Sequence, residues 1–200
     1  MRLLIGQRLK YAWRAFWSFD LPEESIPPTD PEKFTRWFEN PVRGLSLHPD
    51  GDGAFVALSL GFLLFERYYR IITNTQHIDS FDVARNCGAD EMDVNKEFFS
   101  IFWSTYRNGL MHQGTPQVYS RAGRSYKWMI DAEFNAHPTY YDDAGVRFIC
   151  LNPWKFTEYA IDKFKANPSA LNGSVTYKLG SIYDKKLGPT LRVRSADSYP

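Results

Sequence analysis

The chain has 200 residues, 44% hydrophobic and 16% aromatic, which is enough apolar material to bury a substantial core and too much for a disordered chain. A net charge of +1 excludes a global field that would draw the whole molecule to nucleic acid. The charge is unevenly placed. Arg2, Arg8, Lys10 and Arg14 stand in 1–19 without an acid, as do Lys185, Lys186, Arg192 and Arg194 in 185–194, while 20–40 and 79–97 are acidic. Basic ends of this kind suit either RNA phosphates or plain solvation. Cys87 and Cys150 lack motif partners, which fits a reducing, cytoplasmic setting better than a disulfide framework. Charges interrupt the N-terminal apolar residues throughout, so no signal peptide is expected. The apolar run 54–65 is too short to cross a bilayer, so no membrane role is expected.

In chain order, Ile5, Leu9, Ala12 and Phe16, widened by Trp13 and Trp17, predict a first helix. Asp30-Pro31 opens a short helix carrying Phe34, Trp37 and Phe38, expected to stop before Pro41. The turn 47–53 follows, with Asp52 as a helix cap. A long helix over 54–74 comes next, with Leu58, Phe62, Phe65, Tyr69 and Ile72 inward, and Leu60, Leu63 and Leu64 burying it nearly all round. A short helix over 79–86 precedes a motif helix over 93–112, where Phe99, Phe102, Trp103, Tyr106 and Leu110 share a face.

After Gly114 the period changes to two. Tyr126, Trp128, Ile130, Ala132 and Phe134 predict a strand, with 146–151 as its antiparallel partner. Asn152-Pro153 opens a further helix, closed at Asn167-Pro168. Alternation returns at Val175, Tyr177 and Leu179 and at Leu191 and Val193. The expected architecture is mainly α, an antiparallel helical bundle with an appended small antiparallel β-sheet and one more helix in the C-terminal half. The expected division is 1–46 as an N-terminal helical segment, 47–170 as the core with its β-hairpin insertion, and 171–200 as a β extension, together forming one structural unit.

The motif helix ends in Arg107-Asn108-Gly109-Leu110-Met111-His112. Asn108 and His112, four apart, share a helical face, with Arg107 on the flank about 100° away. A fixed cation, an amide and an imidazole near one another form a kit for chemistry on a phosphodiester. Cations at a helix C-terminus also complement its dipole, and Gly109 also reads as a helix-terminating residue. The arrangement Arg107-Asn108-x3-His112 resembles the motif of the HEPN superfamily, over roughly residues 50–170.

That resemblance implies a HEPN-type helical bundle and a metal-independent endoribonuclease that uses the RNA 2′-hydroxyl as nucleophile and leaves 2′,3′-cyclic phosphate ends. Arg107 would stabilise the phosphate, Asn108 orient the phosphate or the imidazole, and His112 move the proton. No cofactor is implied. The implied partners are RNA, a second copy docked through the motif helix, and an inhibitory or defence-system protein, in a toxin or defence setting. A catalytically inactive dimerisation or partner- and nucleotide-binding module is the alternative.

Tyr106, Arg67 and Arg70 are candidate substrate contacts, although core packing and surface charge explain them as well. Glu66 is placed to support Arg107 if the two helices pack face to face; a local pair with Arg70 is its ordinary role. The histidines His48, His77, His112 and His137 show no metal-ligand spacing, and 50–53 lacks the further carboxylates of a calcium loop, so no metal site is expected.

Overall fold

Asp30–Phe34 (α1) and Asn40–Ser46 (α2) are joined by one π-helical turn, Thr35–Glu39, so the helix passes through Pro41 instead of stopping before it. Proline has no N–H to donate, and the wider turn ahead of it absorbs the missing bond. Phe34 anchors this arm, its ring 5.0 Å from that of Phe164. The computed structural model describes residues 29–48, 51–75, 82 and 84–172. Thr29 apart, these lie in one compact unit, Asp30–Leu179. The helix expected over 5–17, most of that over 79–86 and the strands expected beyond 173 lie outside the described residues.

The long apolar run forms α3, Ala54–Ile72, entered through Gly53 at φ +89°, so Gly53 and not Asp52 holds the cap position. Phe62 and Phe65 point into an aromatic core built with Phe99, Phe102, Trp103 and Phe156. The helix is not buried all round: Val56 and Leu63 are 60% and 51% exposed. A π-helical turn, Ala84–Gly88, and the short α4, Ala89–Glu91, lead to α5, Lys96–Trp103. Helix α5 starts at Asn95, whose side chain accepts the Phe98 N–H at 2.8 Å, a standard N-cap.

A second π-helical turn, Ser104–Asn108, connects α5 to α6, Gly109–Gln113. The last long helix among the described residues, α7, Pro153–Ala166, is capped by Asn152, which accepts the N–H groups of Trp154 and Lys155. It packs along α3 where Gly61 removes the obstacle, since a Cβ there would stand 2.8 Å from Thr157 Oγ1. The Thr157 hydroxyl then reaches Ala57 O at 2.9 Å, a buried bond between the two helices.

The sheet overturns the expected fold class. Four strands, Tyr119–Arg121 (β1), Arg124–Ile130 (β2), Thr139–Asp143 (β3) and Val146–Leu151 (β4), lie in the order β1-β2-β4-β3. The outer pairs are antiparallel hairpins, but β2 and β4 run parallel, from Tyr126 opposite Arg147 to Ile130 opposite Leu151. The sheet is mixed, and it is no appendage to an antiparallel bundle, because Tyr126, Ile149 and Leu151 belong to the main core.

The expected pairing of β2 with β4 was therefore right in partner and wrong in direction. Parallel strands need a crossover of about a dozen residues, and 131–145 supplies it while adding β3 at the far edge. Both hairpins turn on Ala-Gly pairs with positive φ, Ala122-Gly123 and Ala144-Gly145, as primed two-residue turns require. Among the described residues no helix is long and apolar enough to cross a membrane.

Candidate functional site

The π-helical turn Ser104–Asn108 has an identifiable cause. The chain leaving α6 doubles back after Gly114, which is at φ +77°, and lays Gln117 against the helix. The Gln117 N–H donates to Thr105 O at 2.8 Å, and its Nε2 donates to Ser104 O at 2.9 Å. Those two carbonyls are then not left to the regular i→i+4 ladder, and insertion of outside donors is a recognised way to widen a helical turn. The same close approach explains Gly109. Its φ is an ordinary −57°, so it terminates nothing, but a Cβ there would stand 2.6 Å from Gln117 N and 2.7 Å from Thr115 O.

The turn delivers Arg107 to α3. Its NH2 donates to Glu66 Oε2 at 3.0 Å, while Glu66 Oε1 accepts from Arg70 Nε, also at 3.0 Å. One carboxylate thus spans two guanidiniums, one from its own helix and one from 41 residues away, and the group keeps a net positive charge. All three side chains are largely enclosed, at 20%, 14% and 19% exposure for Arg107, Glu66 and Arg70, so solvent screens them less than a surface pair. The Trp103 ring lies under Arg107 Cζ at 5.8 Å and supports it from the preceding turn. Arg107 NH1 stands 3.4 Å from Asn108 Oδ1. Arg107 Nε is buried without a hydrogen-bond partner among the described residues.

His112 stands apart from this cluster. It is exposed on α6 and makes no hydrogen bond or ion pair among the described residues. Arg107 lies in the π-helical turn and His112 five residues on in α6, so the two point well apart around the axis. Within one copy of the chain, Glu66, Arg70, Arg107 and Asn108 come together, while His112 is exposed to solvent and not among them. Arg67 is half-buried one turn before Arg70 on the same helix.

Tyr106, expected as a substrate contact, is a core residue. It is fully buried, and its hydroxyl lies at the seam of β2 and β4, 2.7 Å from Ile149 O, 2.8 Å from Met129 O and 3.3 Å from Met129 N. Burial pushes its phenol far above the ordinary range. Its function is to fasten the motif helix to the parallel strand pair. Gln117 and Trp103 were not singled out as site residues. Nothing in the local pattern marks Gln117, whereas Trp103 precedes Arg107 by four residues, a spacing at which two helical side chains meet.

Among the described residues no group of three or more His, Cys, Asp or Glu is arranged to hold a metal ion. No protein-family model matches the chain, and no match is found among curated proteins or solved structures.

Proposed function

We propose that this chain is a metal-independent endoribonuclease whose chemistry is carried by Arg107 and His112, with Glu66, Arg70 and Asn108 setting the position of Arg107. The observation that carries it is the bridging of Arg70 and Arg107 by Glu66. It holds a forked donor in place with a net positive charge, on the helical segment that ends in the exposed imidazole of His112. Arg107 would meet the phosphate oxygens, where charge builds as the 2′-oxygen attacks phosphorus and the 5′-oxygen leaves. One imidazole takes the 2′ proton, and a second must supply a proton to the leaving oxygen.

The chain offers one His112, so the proposal includes a second copy. Val56, Leu63, Arg67 and Arg70 follow one another at helical spacing along α3. The exposed apolar stripe of Val56 and Leu63 therefore runs toward the arginine cluster, and pairing two such stripes would bring two clusters and two imidazoles near each other. The resemblance of Arg107-Asn108-x3-His112 to the HEPN motif supports the same reading. An inhibitory partner and a defence or toxin role follow as extensions of it.

Growth arrest with fragmented cellular RNA is the expected result of expressing the wild-type chain. His112→Ala, folded and made at the same level, should leave growth unaffected. Equal arrest by both would remove His112 from the chemistry. If both folded proteins leave RNA intact, the cluster is a helix fastening in an inactive dimerisation or partner-binding module.

A further inference from the structure

Arg121 and Arg124 flank the Ala122-Gly123 turn and stand directly opposite one another across β1 and β2. Directly opposed side chains start about 5 Å apart, and like charges placed so repel. Both arginines are exposed, neither has an ion pair among the described residues, and no acid occurs between Gln113 and Ile130. A fold that keeps two uncompensated cations face to face breaks a local rule, and such breaks concentrate at working surfaces.

Side chains alternate between the faces of a sheet, which fixes what else shares their side. The neighbouring row on that side runs from Tyr119 through Tyr126 and Arg147 to Asp142. Arg147 Nε and NH2 donate to Asp142 Oδ1 and Oδ2 at 2.8 and 2.9 Å, and its Cζ lies 5.0 Å from the Tyr140 ring. A third guanidinium is thus held in a fixed pose that cancels the nearest carboxylate and leaves its NH1 outside that pair. Glu97 of α5, whose charge reaches Tyr140, is the acid that faces this end of the sheet from the helices. It offsets one of the two opposed arginines. Lys127 and Asp143, one of each sign, lie on the other face of the sheet.

The hairpin that carries the pair is rooted at the motif helix. Gln117, four residues before Arg121, is bonded to Ser104 O and Thr105 O. At about 3.3 Å per residue, Arg121 lies roughly 13 Å along the strand from that root. We infer that Arg121 and Arg124, with Arg147 beside them, grip the sugar–phosphate backbone of an RNA strand outside its cleavage point. Forked guanidiniums match phosphate oxygens two bonds at a time, and an opposed pair can take neighbouring phosphates of one strand. Bound phosphate also relieves the repulsion that the empty hairpin carries. The inference rests on the nuclease reading for its choice of RNA among polyanions. Binding itself does not require cleavage.

The test uses fluorescein-labelled single-stranded RNA carrying 2′-O-methyl ribose, which lacks the attacking hydroxyl and stays intact. Anisotropy titrations over a salt series compare wild type with Arg121→Ala, Arg124→Ala, the double variant, the double Lys variant and Lys127→Ala. Each alanine at the pair should weaken binding and flatten the log–log salt slope by about 0.7, and the double variant by about 1.4. The double Lys variant should keep the slope, and Lys127→Ala, on the other face, should leave it unchanged. Thermal melts of the alanine variants should lie no lower than wild type, since a like-charged neighbour has been removed. An unchanged slope in the double alanine variant, an equal loss in Lys127→Ala, or no binding by wild type would overturn the inference. So would equal affinity for an aspartate-rich peptide of the same charge, which would assign the pair to an acidic protein. Intact binding with no cleavage of ordinary RNA by wild type would sink the nuclease proposal and leave the arginine grip standing.

Discussion

Glu66 is the residue on which the site turns. Glu66→Ala leaves Arg70 and Arg107 as unneutralised neighbours in a mostly enclosed space, which costs about 2 kcal/mol of stability and should reduce RNA cleavage by roughly 100-fold through the freed guanidinium. Glu66→Asp, shorter by one methylene, should recover stability better than cleavage. Chemical denaturation beside a cleavage assay separates the two, and unaltered cleavage in Glu66→Ala would dissolve the positioning role.

The buried phenols predict a pH response. Burial, with Tyr159 adding to it, raises Tyr69 far above the ordinary range, and burial, with Cys150 adding to it, raises Tyr106 despite a bond from Met129 that lowers it. Tyr159 and Tyr140 are each pushed up to about 12, burial again leading. Unfolded, such phenols ionise near pH 10, so above that pH the unfolded chain gives up protons that the fold retains, and stability falls. Lys163, whose ammonium burial holds below its usual range, works the other way, but as one group against the four phenols and the thiols of Cys87 and Cys150, which burial also raises. The melting temperature should hold level to about pH 8, begin to fall near pH 9 as the unfolded thiols ionise, and decline further beyond about pH 10; a melting temperature that rises there would contradict the burial of these groups.

At the scale of elements, the motif helix is set by the strand that follows it. Gln117 widens the helix at Ser104 and Thr105, and Tyr106 pins the same turn to β2 and β4. Gly109→Ala would force a methyl group into the Thr115–Gln117 backbone and should cost roughly 2 kcal/mol. Thermal melts will read this, and a neutral result would mean that the backbone approach is not close. Local pattern was enough for the extent of α3, through its apolar spacing, and for α7, where spacing and the Asn152-Pro153 cap agree with packing. It was not enough for β3, because Thr139–Asp143 is exposed along its whole length and shows no alternation to detect. Nor could it give the direction of β2 against β4, which depends on the path of 131–145 and not on either strand. At the site, the Glu66–Arg107 pair was legible as a conditional, fulfilled by α3 packing against the motif helix. Tyr106 was misjudged because an aromatic beside a motif reads alike whether it faces a substrate or a sheet.

At the scale of the whole molecule, one copy presents one motif imidazole, His112, a cationic cluster and an exposed apolar stripe on α3. Leu63→Glu places a charge in that stripe without disturbing the core, since Leu63 is half exposed. The expected outcome is a folded monomer by sedimentation, with cleavage lost; a dimer of unchanged mass would move the contact to another face. The central claim is cleavage by Arg107 and His112 without a metal. Its most direct test is incubation of end-labelled single-stranded RNA and tRNA with purified protein in excess EDTA. Wild type should cut and leave 2′,3′-cyclic phosphate and 5′-hydroxyl ends, while Arg107→Ala and His112→Ala, folded and of the same mass, should not. Cutting that survives both substitutions, or no cutting of any RNA by the wild-type protein, would contradict it.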